Sequence, residues 1–185
     1  MNRSGKRLIN WCLVVAYMLG VYATLTVAPS LWDAVDGYLN GRGLFVVYLA
    51  GGFLLAAVFL YMSVFRREKR IVNYIILLGC ACIYFILNKL AIYPAEKIHL
   101  LEYSLLSVLV FNALKVDFSG YGLELYVYGL LFCLGAGVID EVIQLFLPTR
   151  VFDWRDVVFN IASSITAFVI IRFNILGQPQ KALQA

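Results

Sequence analysis

Between positions 140 and 160 the chain reads D-E-V-I-Q-L-F-L-P-T-R-V-F-D-W-R-D-V-V-F-N, setting carboxylates, an amide and arginines inside sequence apolar enough for a lipid bilayer. A charged side chain near the middle of a membrane helix costs roughly 2.5 to 3.5 kcal/mol on insertion scales, so such groups pair, line a wet cavity or carry function. A second set precedes it in K-I-H-L-L-E-Y, where His99, the single histidine of the chain, lies three residues before Glu102 and four before Tyr103. Both spacings share one helical face. An acid–base pair drawn from Glu141, Asp156, His99 and Glu102 suits proton transfer at a buried bond. Arg150, Arg155 and Lys97 are the cations that suit a phosphate clamp. Partial desolvation of one carboxylate beside an arginine that keeps another ionised is how two acids acquire different roles.

Each residue also has a plainer reading. Asp153 and Asp156 suit the cap and first turn of a helix, where the dipole favours negative charge. Arg150 suits a headgroup anchor, Asn160 a helix-packing contact, and Glu102 an ion pair with Lys97 or Lys89. Glu141 is the hardest to explain structurally, because no basic residue shares its helix. Asp140 and Glu141 are adjacent and diverge by about 100° on a helix. One of them is expected to face a common cavity, and Glu141, three residues from Gln144, is favoured. Asp140 is then left to Arg150 or a backbone amide.

The elements that must hold these groups are membrane helices. The chain is 63% hydrophobic and 14% charged over 185 residues, with a mean hydropathy of +0.86, which excludes an ordinary soluble domain. Six apolar segments approach the roughly 20 residues needed to cross the hydrocarbon core: 8–28, 44–65, 72–92, 98–114, 125–147 and 157–173. The expected fold is an all-α, polytopic helical bundle. Five spans is the competing count, with 88–93 as an interfacial piece. The first segment is longer than a signal-peptide core and reads as an uncleaved anchor. At 1.5 Å per residue, Asp140, Glu141, Gln144, Glu102 and Asn160 all lie roughly 5 to 11 Å inside the same end of their spans.

Charge suggests which way the bundle faces. Arg3, Lys6, Arg7, Arg66, Arg67, Lys69, Arg70, Lys115, Arg172 and Lys181 fall at one end, while Arg42, Lys89, Lys97, Arg150 and Arg155 fall at the other. The positive-inside rule therefore expects both termini in the cytoplasm and the polar layer facing out. The net charge of +4 is then topological and implies no nucleic-acid partner. Residues 1–71 are expected to form two spans with a basic loop, 72–175 the core and 176–185 a short tail. The segment 29–43, with Leu31, Trp32, Val35 and Leu39 at helical spacing, suits a helix lying flat at the surface. Cys12, Cys80, Cys82 and Cys133 lack metal-ligand spacing and read as packing residues.

The motif from Lys97 to Tyr103, followed by a hydrophobic hairpin and the 140–160 stretch, resembles the VanZ-like family of bacterial membrane proteins. The resemblance covers about residues 88–175 and leaves the first two spans outside it. Ala162, Ser163 and Ser164 stand where that family usually has glycines, and they still permit close helix approach. By that resemblance His99, Glu141, Gln144, Arg150, Asp156 and Asn160 match motif positions, with Lys97, Glu102 and Asp153 as further members. It implies residence in the bacterial plasma membrane, and its founding member is associated with low-level teicoplanin resistance.

Three function classes follow. One is an enzyme, of hydrolase or transferase type, acting on a lipid-linked, phosphate-bearing glycan such as a polyprenyl-phosphate sugar at the outer leaflet. Another is a non-catalytic protein binding a membrane lipid or a glycopeptide antibiotic. The third is a transporter, disfavoured because the half of the bundle with the basic termini reads as nearly bare of polar groups. No metal site or cofactor is expected, a divalent cation shared by carboxylates and a substrate phosphate being the one candidate. Ser104 and Ser107 follow His99 without any nucleophile-elbow pattern.

Overall fold

The computed structural model describes residues 2–118, 121–147 and 152–176. Seven α-helices follow in order: α1 (Arg3–Thr24), α2 (Ala28–Tyr38), α3 (Gly43–Leu60), α4 (Ile71–Leu90), α5 (Pro94–Asp117), α6 (Leu123–Leu145) and α7 (Trp154–Val169). Among the described residues there is no strand. Short π-helical stretches, Tyr61–Phe65 and Ile170–Ile175, continue α3 and α7. All but α2 belong to segments long and apolar enough to cross a membrane, which gives six candidate spans. The expected boundaries agree to within a few residues, and 88–90 completes α4 rather than forming an interfacial piece.

Local sequence sets the helix ends. Pro94 opens α5, and Glu96 at its third position caps it by accepting the backbone N–H groups of Ile92 and Tyr93. Asp153 caps α7 by accepting the Arg155 N–H at 2.8 Å, in agreement with the plainer reading of that residue. The segment 29–43 holds α2, which a turn through Asn40 (φ 52°) and Gly41 (φ 75°) joins to α3.

α5 and α7 form the centre. In their membrane windows 50% and 56% of residues are buried inside the protein, against 6% for α1 and α3. Lipid is as apolar as leucine, so the outer helices keep Phe53, Leu54, Ile75 and Phe85 exposed without penalty. The buried face of α6 carries Gly129, Cys133, Ala136, Gly137, Asp140 and Gln144, and that of α7 carries Asn160, Ser163, Ser164 and Ala167. Small residues every three or four positions allow these helices to approach closely. At Gly129 an added Cβ would stand 2.5 Å from the Phe168 ring.

α1 runs antiparallel to α5. Arg3 donates to the Val116 carbonyl at 3.0 Å, Asn10 to that of Asn112 at 2.8 Å, and Tyr17 to that of Glu102 at 3.0 Å. Arg7 and Trp11 both reach Asp117 at the far end of α5. The start of α1, the 66–70 segment and the ends of α5 and α7 therefore share one basic end. The starts of α5 and α7 and the ends of α4 and α6 share the other.

Candidate functional site

At this second end the starts of α5 and α7 are clipped to the end of α4. Arg155 donates to the Leu90 carbonyl at 3.0 Å and stands 3.7 Å from the buried Glu96 carboxylate. Carbonyls at a helix C-terminus lack intrahelical partners, so an arginine there satisfies one and meets the negative end of the dipole. Glu96 went unnoticed in the sequence reading. Its signal was present, as Pro at the first helical position followed by Glu at the third.

One turn further in, His99 Nδ1 lies 2.9 Å from Glu102 Oε2 and 3.9 Å from Asp140 Oδ2, joining α5 to α6. The Tyr103 hydroxyl reaches Asp140 Oδ2 at 3.5 Å, the limit of a hydrogen bond. His99 and Asp140 are buried, whereas the Glu102 side chain is 26% exposed. Asp156 from α7 is close enough to interact electrostatically with His99, Asp140 and Glu141. With Nδ1 donating to a carboxylate, Nε2 is the free nitrogen of the neutral ring. It is buried and has no hydrogen-bond partner among the described residues.

Glu141, also buried, faces elsewhere. Its Oε1 accepts from Gln144 Nε2 at 3.1 Å and its Oε2 from the Asp153 N–H at 3.0 Å, tying the end of α6 to the start of α7. Glu141 was expected to be the one of the adjacent acids that faces a common cavity, but both are buried and Asp140, not Glu141, is the one beside His99. The reason is that α6 lies between two neighbours. Side chains about 100° apart then each find a helix, Asp140 meeting α5 and Glu141 meeting α7. Asn160 sits beside Gly137 and Tyr103, since a Cβ on Gly137 would stand 3.4 Å from Asn160 and 3.5 Å from Tyr103. Neither side-chain amide atom of Asn160 has a partner among the described residues.

The cations are placed apart from this cluster. Lys97 Nζ donates to the Tyr48 hydroxyl of α3 at 3.3 Å, and the ion pair expected between Glu102 and Lys97 or Lys89 is replaced by that between Glu102 and His99. Residues 97 and 99 point to nearly opposite sides of a helix, which accounts for the separation. Arg150 lies outside the described residues. Among the described residues no group of three or more His, Cys, Asp or Glu side chains is arranged to hold a metal ion. Ser104 and Ser107 donate to the Leu100 and Tyr103 carbonyls of their own helix.

A cleft of about 430 Å³ opens onto the cluster between α1, α2 and the start of α5, with His99 and Glu102 among its lining residues. Its other walls include Leu25, Trp32, Asp33 and Tyr93. On the α1 side, Tyr22 donates to the Ala136 carbonyl at 2.9 Å, packing the first helix over the cluster. Sequence reasoning left α1 and α2 out of the site, because the inner turns of α1 carry no charge, the acids of α2 lie on a segment read as flat at the surface, and a tyrosine docking on a carbonyl has no spacing signature.

The basic end carries a second polar network, correcting the reading of that half as nearly bare. Arg66 donates to the Asn174 carbonyl at 2.8 Å and pairs with Glu68. Glu68 accepts from Asn73 Nδ2 at 2.8 Å, and Asn174 Nδ2 donates to the Asn73 carbonyl at 2.6 Å. The Arg70 N–H, aided by Asn73, Arg66 and Arg70 side chains, holds the Glu68 carboxyl below its usual range despite the opposing effect of desolvation. Asn73 and Asn174 were passed over because single asparagines in apolar runs carry little pattern.

The family described as VanZ/LLP1 matches residues 13–176. The match begins well before residue 88, so it takes in the first two spans that the motif alone left outside. No curated protein and no solved structure matches the chain.

Proposed function

The chain belongs to the VanZ/LLP1 family, and from that premise we propose that it is an enzyme of the bacterial cell envelope performing acid–base chemistry on a lipid-linked glycan. The observation that carries this reading is the imidazole of His99, fixed by Glu102 at 2.9 Å with Asp140 at 3.9 Å, beside a cleft open to an amphiphile. Glu102 holds the Nδ1 proton, and Nε2 takes a proton from an attacking water or returns one to the leaving oxygen. Asp140 and Asp156 stabilise the imidazolium formed between those steps. Glu141 and Gln144 position the start of α7, and with it Asp156 and Asn160. The water oxygen bonds to the electrophilic centre as the bond from that centre to the leaving oxygen breaks, so the reaction is a hydrolysis.

The substrate phosphate belongs at the rim, with Arg155 and Lys97 as its cations and Asp153 holding the start of α7; Arg150 is a further candidate cation by sequence alone. The excess of basic residues at the opposite end supports reading that end as cytoplasmic and the cleft as opening on the extracytoplasmic face of the plasma membrane. A non-catalytic reading, retention of an envelope lipid or a glycopeptide antibiotic, is favoured by one observation. Both oxygens of the deep Glu141 are already engaged by protein groups.

The test is turnover of polyprenyl-phosphate-linked sugars by the purified protein in lipid. His99→Gln and Glu102→Gln are expected to lower the rate by about 10²-fold or more while the protein stays folded, the scale of general acid–base catalysis. Wild-type turnover in both variants refutes the acid–base reading. Binding of the lipid without turnover by any form of the protein favours the non-catalytic one.

A further inference from the structure

We propose that the cleft between α1, α2 and the start of α5 is a carbohydrate subsite, receiving the sugar end of the amphiphile and excluding its phosphate. This rests on the reading of the site as one that handles a lipid-linked glycan, and it states which part of that molecule the cleft takes. The volume, about 430 Å³, falls within the range of small-molecule sites.

The chemistry of the walls decides the class of ligand. Asp33 and Glu102 bring two carboxylates to the cleft, and none of the described residues lining it is a lysine or an arginine. A phosphate entering there meets like charge with no lysine or arginine to compensate it, whereas sugar hydroxyls donate to carboxylate oxygens, which accept in pairs. Trp32 and Tyr93 add two aromatic rings. A flat ring suits the apolar C–H face of a pyranose, leaving the hydroxyl edge to the acids. Val21, Leu25 and Ile98 supply an apolar wall on which the lipid-proximal part of the ligand rests. At the cleft, His99 keeps a buried Nε2 that has no partner among the described residues, a polar atom that a ligand hydroxyl or the reacting oxygen would satisfy.

The wall is also held in place. Asp36 accepts the Gly43 N–H at 2.8 Å, and a Cβ on Gly43 would stand 3.1 Å from the Trp32 ring, so the indole is packed against the start of α3. A ring fixed before the ligand arrives loses little entropy on binding.

The experiment uses the full chain in lipid nanodiscs, with Trp11→Phe and Trp154→Phe so that Trp32 alone reports by fluorescence. Octyl glucoside below its micelle concentration and octyl phosphate are titrated in parallel, and calorimetry gives affinities where the fluorophore itself is changed. The glycoside is expected to give a saturable signal and the phosphate none. Asp33→Asn and Trp32→Ala, both outside the membrane-spanning helices, are expected to weaken glycoside binding at least 5-fold. Octyl phosphate binding as tightly as the glycoside, absence of glycoside binding, or unchanged affinity in both variants overturns the subsite. Turnover is measured on the same preparations. Glycoside binding together with undiminished turnover in His99→Gln removes the acid–base reading and leaves the subsite standing, whereas loss of turnover in that variant with no glycoside binding by the wild type does the reverse.

Discussion

Replacing Glu141 separates a positioning role from a chemical one. Its carboxylate accepts Gln144 Nε2 at 3.1 Å and the Asp153 N–H at 3.0 Å from a fully buried position. Glu141→Ala removes both acceptors and strands two donors, and at about 1–3 kcal/mol for each unsatisfied donor the loss is about 2–5 kcal/mol, discounted because Asp153 is only partly buried. Glu141→Gln keeps one oxygen for the Asp153 N–H, and if Gln144 turns over, its own oxygen accepts from the new amide. Both contacts then survive at a cost of about 1 kcal/mol. Unfolding midpoints in mild detergent should therefore rank wild type, Gln variant and Ala variant, with the larger gap between the last two. A folded Gln variant should retain turnover within a few-fold of wild type, unlike His99→Gln. If Glu141→Ala unfolds like the wild type, the strap between α6 and α7 has no energetic weight. If Glu141→Gln folds normally yet loses about 10²-fold in rate, Glu141 rather than His99 carries the proton.

Gly129→Ala drives a Cβ to within 2.5 Å of the buried Phe168 ring, so a loss of about 1–3 kcal/mol is expected from overpacking, largely relieved by Phe168→Leu; an unaltered melting midpoint in the single variant counts against the close α6–α7 approach. The Glu68 carboxyl is held below its ordinary pKa in the folded protein, so its contribution is fully present above the unfolded value of about 4.3 and fades as pH falls through the lower folded value. Proteolysis of the 66–70 segment should accordingly rise at acid pH in the wild type, while Glu68→Gln should be cleaved readily at neutral pH with a flatter pH profile. In a cysteine-free background, Asn40→Cys should react in intact cells with an impermeant thiol reagent and Arg67→Cys only after permeabilisation; the reverse pattern moves the cleft to the cytoplasmic face.

Hydropathy made the six spans legible because lipid enforces the same rule at every turn of an outward-facing helix: stay apolar for about 20 residues. The shared depth of Glu102, Asp140 and Asn160 was equally legible, since a fixed rise per residue converts sequence position into height. Azimuth was the weaker inference. Two residues such as Lys97 and His99 can stand at the same level and meet different helices, and adjacent acids such as Asp140 and Glu141 can both be buried when a helix has neighbours on two sides. Glu96 was overlooked for another reason. Its role is to cap α5, and a search for charges at membrane depth passes over a cap at the rim, although the capping pattern was available in Pro94 and Glu96.

The two polar layers bear on transport, and their separation matters more than their existence. A carrier with a central site needs polar groups that lead from each face toward the midplane. Here the His99 cluster at one end and the Asn73–Asn174 network at the other are separated by Leu106, Val110, Ala113, Cys133 and Phe168, packed as one core. Ser107, Ser163 and Ser164 lie within that span of the helices, but each donates to a carbonyl of its own helix, so none presents a free donor to a passing solute. Around Asn174 the contacts fasten the end of α7 to the 66–70 segment and to α4, with Arg66 donating to carbonyls that a π-helical end leaves open. An anchored end and a cleft at the opposite end suit a protein that receives its ligand and releases its product on the same side of the membrane. Phe168→Asp would place a carboxylate in the dividing core and is expected to prevent folding, whereas in a transport pathway a polar residue at that depth would be tolerated; recovery of folded Phe168→Asp protein with near-native stability would reopen the transport reading.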